Sequence, residues 1–437
     1  MSETTTYLLE RALLPGGVAA DVLLGVCDGR FTAVVPDSAG STQPAPAVGV
    51  PGLSLPGLAN SHSHAFHRAL RGRTQRERGT FWTWREQMYA VAERLDPDTY
   101  HRLARAVFRE MAVAGITTVG EFHYLHHDRD GRRYSDPNAM GHAVLAAAHE
   151  AGIRITLLDT CYLTSAIGRP PERVQLRFSD GDNAAWQERL SLLRDTDDAR
   201  IGQAFHSVRA VPREELDADP RRPLHVHLSE QRLENEQCLA AYGQTPTEVL
   251  AAAGQLGEHT TVVHATHLSE SDIVLLGRAR VYASFCATTE RDLGDGIGPS
   301  RALQAAGARL TVGSDSHAVI DLFEEMRAVE LDERLSSEQR GHWSAAELLA
   351  AGTVTGQQSL GWSDVGRIEV GQRADLVTLD HRSPRTAGTG ADEHTAVFAA
   401  VAEDVQQVMV DGRIVVRPGD RDDVGRELDA VLEELWA

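Results

Sequence analysis

Eight short apolar runs, each followed by a polar or amphipathic stretch, recur through the middle of this chain of 437 residues. They fall at 53–58, 117–122, 153–159, 201–205, 224–228, 261–264, 281–285 and 310–312. Runs of this length with little alternation are what a strand buried on both faces requires. Between them, 100–114, 139–151, 272–276 and 301–306 carry apolar residues at helical spacing. Eight strands alternating with helices over about 300 residues predict a TIM-like (β/α)8 barrel, with its chemistry at the C-terminal ends of the strands. An open doubly wound sheet shares the alternation. No Gly-x-Gly-x-x-Gly follows the first strand, which weakens the dinucleotide-binding version of that sheet.

Both ends of the chain differ from the middle. Residues 20–27 and 30–35 flank Asp28-Gly29, a pair suited to the positive φ angles of a two-residue hairpin turn. The stretch 38–47 is rich in Ser, Gly and Pro and reads as a loop. Strand patterns return at 366–371, 374–379 and 408–416. Strand-rich ends around a barrel predict a small β-sandwich domain built from both termini, residues 1–57 with 364–437, enclosing a catalytic barrel over 58–363.

The formal charge of −20 disfavours nucleic acid and anionic membranes as partners. No run approaches the roughly 18 apolar residues of a membrane span. The segment Met1-Ser2-Glu3-Thr4-Thr5-Thr6 lacks the features of a secretion signal, so a cytoplasmic enzyme is expected. The four cysteines, Cys27, Cys161, Cys238 and Cys286, form no close pair, which leaves a disulfide framework or structural zinc site unsupported. The chain contains no lysine, so Schiff-base chemistry and a carbamylated-lysine metal bridge are both ruled out.

At the end of the first strand region stands His62-Ser63-His64, two imidazoles that extended backbone points to one side. Alone, such a pair is as often coincidence as ligand. Further candidates close other strands: His227 with Glu230 after the fifth, His264 on the sixth, Asp315 after the eighth. A lone His or Asp at a strand end is more often a hydrogen-bonding residue. Their recurrence where a barrel gathers its chemistry makes a metal site the better reading.

With these residues the chain resembles the amidohydrolase superfamily, which the Gly-x-Ile-x-Val-Gly and Ala-Asp-Leu-Val segments between Gly366 and Val377 also match. The resemblance implies that His62, His64, His227 and Asp315 hold one divalent metal, zinc or else iron. The absent lysine favours the mononuclear type. Such an ion lowers the pKa of water toward about 7 and makes hydroxide available. The catalytic candidates are Glu230 as proton shuttle, His264 as the group orienting the nucleophile, and Asp315 as weak ligand and base.

More specific stretches are Phe81-Trp82-Thr83-Trp84-Arg85-Glu86, Glu121-Phe122-His123-Tyr124, His206-Ser207-Val208-Arg209 and 286–296. These resemble the N-formimidoyl-L-glutamate deiminase family, which implies hydrolysis of a small dicarboxylate amidine to N-formyl-L-glutamate and ammonia, and a homodimer. Arginines hold carboxylates through paired, charge-assisted hydrogen bonds, which assigns Arg85 and Arg209 to the substrate, with Tyr124 and His206 beside them. The family commonly has glutamine where this chain has His67, which keeps a related formimidoyl or guanidino acid open as substrate. A deaminase of a purine, pyrimidine or triazine ring shares the ligand set, and a non-catalytic barrel acting by assembly is the rival of another class. His123, His126, His127, His267 and His317 carry no assignment.

Overall fold

The computed structural model describes residues 4–38, 47–75, 79 and 81–437. Most of the loop expected over 38–47 lies outside the described residues, as do the side chains of Phe81 and Trp82.

Four strands open the chain: β1 (Thr5–Leu14), β2 (Gly17–Cys27), β3 (Arg30–Val35) and β4 (Val48–Pro56). The turn between β2 and β3 has φ of 47° at Asp28 and 74° at Gly29, the two positive angles that an Asp-Gly hairpin supplies. Eight parallel strands follow: β5 (Leu58–Ser63), β6 (Ile116–His123), β7 (Arg154–Cys161), β8 (Ala199–Ser207), β9 (Leu224–Leu228), β10 (Thr260–His264), β11 (Tyr282–Phe285) and β12 (Arg309–Val312). They lie side by side in chain order, and a parallel bridge between Ser63 and Asp315 joins the first to the last. The barrel is closed.

The last strands, β13 (Leu376–Leu379), β14 (Val405–Val410) and β15 (Arg413–Val416), return to the first four. The β-sandwich expected from the two ends takes the form of one seven-stranded sheet, ordered β15-β14-β13-β4-β1-β2-β3. Leu9, Val22, Leu24, Phe31, Leu376 and Met409 give it a core separate from the barrel's.

Two strand expectations need correction. The run 53–58 is not the first barrel strand: residues up to Pro56 belong to β4, and the barrel starts at Leu58. Gly57 alone separates sheet from barrel. A Cβ there would run into the Thr117 side chain and stand 3.0 Å from the Asp375 Cβ, so the junction has room only for glycine. Residues 366–371 form no strand, because Gly366 and Gly371 take φ of 98° and 89° and break the extended backbone.

Two helices precede β6: α1 (Phe81–Arg94) and α2 (Pro97–Val113). Asp96 caps α2 by accepting the Thr99 N–H, and Pro97 occupies the first turn, where no donor is needed. Its buried face, Tyr100, Leu103, Ala104, Val107, Phe108 and Met111, follows the helical repeat. The C-terminal helix Asp420–Trp436 lies against α2 rather than the sheet with which a boundary at 364 groups it. Arg105 and Arg109 both hold Glu427, and Trp436 Nε1 donates to the Ala69 carbonyl at 3.1 Å. No described helix is long and apolar enough to cross a membrane.

Candidate metal and substrate site

The seam of the barrel holds the site. The Ser314 and Asp315 N–H groups donate to the His62 carbonyl at 3.1 and 3.0 Å, and His64 N–H donates to the Asp315 carbonyl at 3.1 Å. Asn60 locks the same junction, accepting from Ser314 N–H at 2.9 Å and donating to Ser314 Oγ at 2.7 Å. Gly313 lets these backbones meet, since a Cβ would come within 2.8 Å of the His62 carbonyl oxygen. Three groups at the strand ends sit at positive φ, namely Ser229 (51°), His264 (67°) and Asp315 (42°), local strain of the kind that accumulates at functional sites.

His62, His64, His227 and Asp315 turn their donor atoms to one point. His227 Nε2 lies 3.0 Å from His62 Nε2 and 3.4 Å from His64 Nε2. Asp315 Oδ1 lies 3.4 Å from His62 Nε2 and 3.3 Å from His64 Nε2. Four ligand atoms around an ion at about 2.0–2.1 Å in a tetrahedron stand about 3.3–3.4 Å apart. His64 Nδ1 is 3.0 Å from the Phe122 carbonyl, so its hydrogen points there and the Nε2 lone pair faces the centre. Burial drives His62 down to about 4 and His227 well below its usual range, keeping both in the neutral form that binds metals. Lone pairs this close repel one another unless a cation lies between them. The donor set fits a divalent metal.

Next to these residues His264 Nε2 lies 3.8 Å from Asp315 Oδ2, and His264 Nδ1 lies 3.3 Å from Glu290 Oε1. Burial opposes a charge on His264, but the Glu290 hydrogen bond and the nearby Glu230 and Asp315 carboxylates raise it to about 10. Burial raises the Glu230 carboxyl. Asp315 is held well below the usual carboxylate range: its burial acts the other way, but the adjoining His62, His64 and His264 imidazoles outweigh it.

One cavity of about 60 Å³ brings the remaining candidates together: His67, Arg85, Tyr124, His206 and Arg209 line it along with His64, His227, Glu230, His264 and Asp315. His67 Nε2 is 2.8 Å from Tyr124 Oη, and burial keeps the ring neutral. β8 extends to Ser207, so His206 belongs to the strand itself, and its ring lies 5.1 Å from that of His227. Arg85 comes from α1, its guanidinium 5.6 Å from the Tyr89 ring centre. Arg209 lies two residues beyond β8, and its charge acts on the buried carboxyls of Glu230 and Glu234.

Several unassigned histidines have structural partners. His317 faces Ser63 Oγ at 3.2 Å and Ser314 Oγ at 3.0 Å. His126 Nε2 donates to the Thr160 carbonyl at 2.8 Å, and His127 pairs with Asp180 at 3.1 Å. Arg189 binds both Asp159 and Asp180 in that same buried network. His267 is half-buried at a different cleft. Sequence reasoning assigns no role to Glu290, Glu121, Tyr89, Tyr162 or Gln175. Glu290 does lie within the distinctive stretch 286–296. Glu121 accepts from Ser63 Oγ at 2.6 Å and Ala65 N–H at 2.7 Å, and so props the backbone on both sides of His64.

The amidohydrolase family model matches residues 53–415. A formimidoylglutamate deiminase from Pseudomonas aeruginosa is 37% identical over 94% of this chain and 94% of its own length. Among solved structures, an amidohydrolase from Brucella melitensis is 31% identical and covers 99% of this chain and 100% of its own, with a TM-score of 0.88. An adenosine deaminase from Xanthomonas campestris with bound zinc is 23% identical, covers 99% of this chain and 98% of its own, and has a TM-score of 0.84, a likeness of fold. Fold, donor set and relatives agree: the chain belongs to the amidohydrolase family and is a hydrolase acting on carbon–nitrogen bonds.

Proposed function

We propose that this enzyme hydrolyses N-formimidoyl-L-glutamate to N-formyl-L-glutamate and ammonia. The observation that carries the reading is a single pocket lined both by His64, His227 and Asp315 of the three-histidine, one-aspartate set and by two arginines, Arg85 and Arg209. An acyclic dicarboxylate matches two guanidinium forks, each suited to a paired hydrogen bond. A planar ring base would rely on stacking and amide contacts instead. The relationship to the Pseudomonas aeruginosa deiminase supports the same substrate.

His62, His64, His227 and Asp315 would hold the metal, which we take to be zinc, with iron as the alternative. When bound, such an ion makes hydroxide available near neutral pH. Asp315 Oδ2, the oxygen turned toward His264, is the acceptor for the proton of the attacking water. His264, kept protonated by Glu290, donates to the oxygen that attacks. Oxygen bonds to the formimidoyl carbon and the terminal C–N bond breaks. The departing nitrogen carries one hydrogen and takes two more: Glu230, its carboxyl raised by burial, gives the first and is recharged by the hydroxyl proton of the adduct, and the proton taken up by Asp315 is passed on as the second, so that ammonia leaves neutral. Arg85 and Arg209 hold the carboxylates while His67, Tyr124 and His206 contact the remaining polar atoms.

Metal analysis combined with ammonia release tests the reading. One zinc or iron per chain and turnover of N-formimidoyl-L-glutamate are expected. Turnover only of adenosine, cytosine or a triazine would replace it with ring deamination. Protein with no metal, and no activity when zinc, iron or manganese is added, would point to a non-catalytic barrel.

A further inference from the structure

A buried amide donates to two hydroxyl groups in the pocket wall. Gln175, 5% exposed, lies in the short helical turn Arg173–Arg177. Its Oε1 accepts the Glu172 N–H at 3.0 Å, which fixes which end of the amide is oxygen. Its Nε2 then donates to Tyr89 Oη and to Tyr162 Oη, both at 2.9 Å. Each phenol oxygen has received a proton and still has its own to give. Only one of the two can be spent between the tyrosines, so at least one O–H points elsewhere.

The substrate arginines are close by. Tyr162, one residue beyond β7, lines the pocket and feels the positive charges of Arg209 and Arg85, and its ring lies 4.8 Å from that of His206. Arg85 rests over the face of Tyr89. Burial pushes the Tyr162 hydroxyl above its ordinary range, so it remains a donor at neutral pH. A hydroxyl whose oxygen is held in place beside guanidiniums is suited to a carboxylate oxygen that the arginines leave with a spare lone pair.

We propose that Tyr162 determines specificity by donating its hydroxyl proton to a substrate carboxylate, and that Gln175 is the positioning residue that aims it. The proposal rests on the dicarboxylate reading above. Neither residue touches the reacting carbon, so the expected signature is in KM and not in kcat.

Tyr162→Phe removes the O–H alone and should raise KM for N-formimidoyl-L-glutamate about 10- to 100-fold, with kcat within about threefold. The N-formimidoyl derivatives of 4-aminobutyrate and 2-aminobutyrate each lack one carboxylate. For the one missing the carboxylate that Tyr162 contacts, the variant should match wild type. Gln175→Met should raise KM severalfold in wild type and add nothing in the Tyr162→Phe background, because it acts only through that hydroxyl. An unchanged KM in Tyr162→Phe, an equal rise with all three substrates, or additive effects of the two substitutions overturns the proposal while the function stands. Wild-type enzyme that ignores all three compounds but deaminates adenosine overturns the dicarboxylate reading and this proposal together.

Discussion

Replacing Arg209 with alanine isolates the substrate clamp from the chemistry. The guanidinium lines the pocket and makes no ion pair within 4 Å among the described residues, so its loss breaks no direct contact, although it removes a charge that acts on the buried Glu230 and Glu234. The loop that carries it is held through the backbone, Thr164 Oγ1 donating to the Arg209 carbonyl at 3.0 Å, and that bond survives the substitution. What disappears is a charge-assisted contact worth about 1.5–3 kcal/mol, which corresponds to a rise in KM of about 10- to 150-fold. A second effect has a definite sign. The Arg209 charge lowers the Glu230 carboxyl against the raising effect of burial, so without it Glu230 stays protonated to higher pH. If Glu230 is the acid that serves the leaving nitrogen, the alkaline limb of kcat should move upward. Steady-state ammonia release measured from pH 6 to pH 10, in wild type and variant, reads both quantities. An unchanged KM, or an alkaline limb that moves down, would refute the assignment.

Asp315→Asn should lose metal and cut turnover by at least about a thousandfold, whereas His264→Ala should retain metal and still fail to turn over; elemental analysis alongside activity separates the two. Stability should fall on mild acidification, because burial holds His126 near 4 in the folded protein, against an ordinary value of 6.5. The unfolded chain takes up the proton first, so stability present above pH 6.5 is lost as pH drops toward 4, by roughly 2 kcal/mol at pH 5 for this one residue. Urea melts at pH 7 and pH 5 should show that drop, smaller in His126→Gln, and an equal drop in both would refute the account. Gly57→Ala should destabilise by several kcal/mol, since the added methyl meets Thr117 and Asp375 with no space to relax; calorimetry showing a shift of less than about 1 °C would contradict the geometry.

The barrel and most of the site are legible in the sequence because a parallel barrel imposes a simple rule. Residues that close its strands converge, so His62, His64, His227, His264 and Asp315 could be grouped without knowing any distance. Periodicity fails where it has nothing to act on. The run 53–58 has Ser54 as its one polar side chain, so only Pro56-Gly57 signals that one strand ends and another begins. Around Gly366 and Gly371 the residue types suit a strand while the glycine dihedral angles do not. Gln175, Tyr162 and Glu290 act from positions beyond strand ends or on short helical turns, where spacing assigns no direction to a side chain. The partnership of His126 and His127 with Asp159, Asp180 and Arg189 joins segments over 60 residues of chain, and no local pattern announces it.

Of the four residues proposed to hold the metal, His62 lies in the first strand of the barrel, His64 directly follows it and Asp315 follows the last, and the bridge between Ser63 and Asp315 is the rung that closes the cylinder. Architecture and ligand set therefore share a clasp. A nascent chain that has not yet reached residue 315 lacks both the closing rung and the fourth donor, so it holds an open sheet and an incomplete site. An ion gripped by all four residues would tie the opening edge of the barrel shut, and its release would loosen the enzyme at the same edge where folding must bring residues 62 and 315 together.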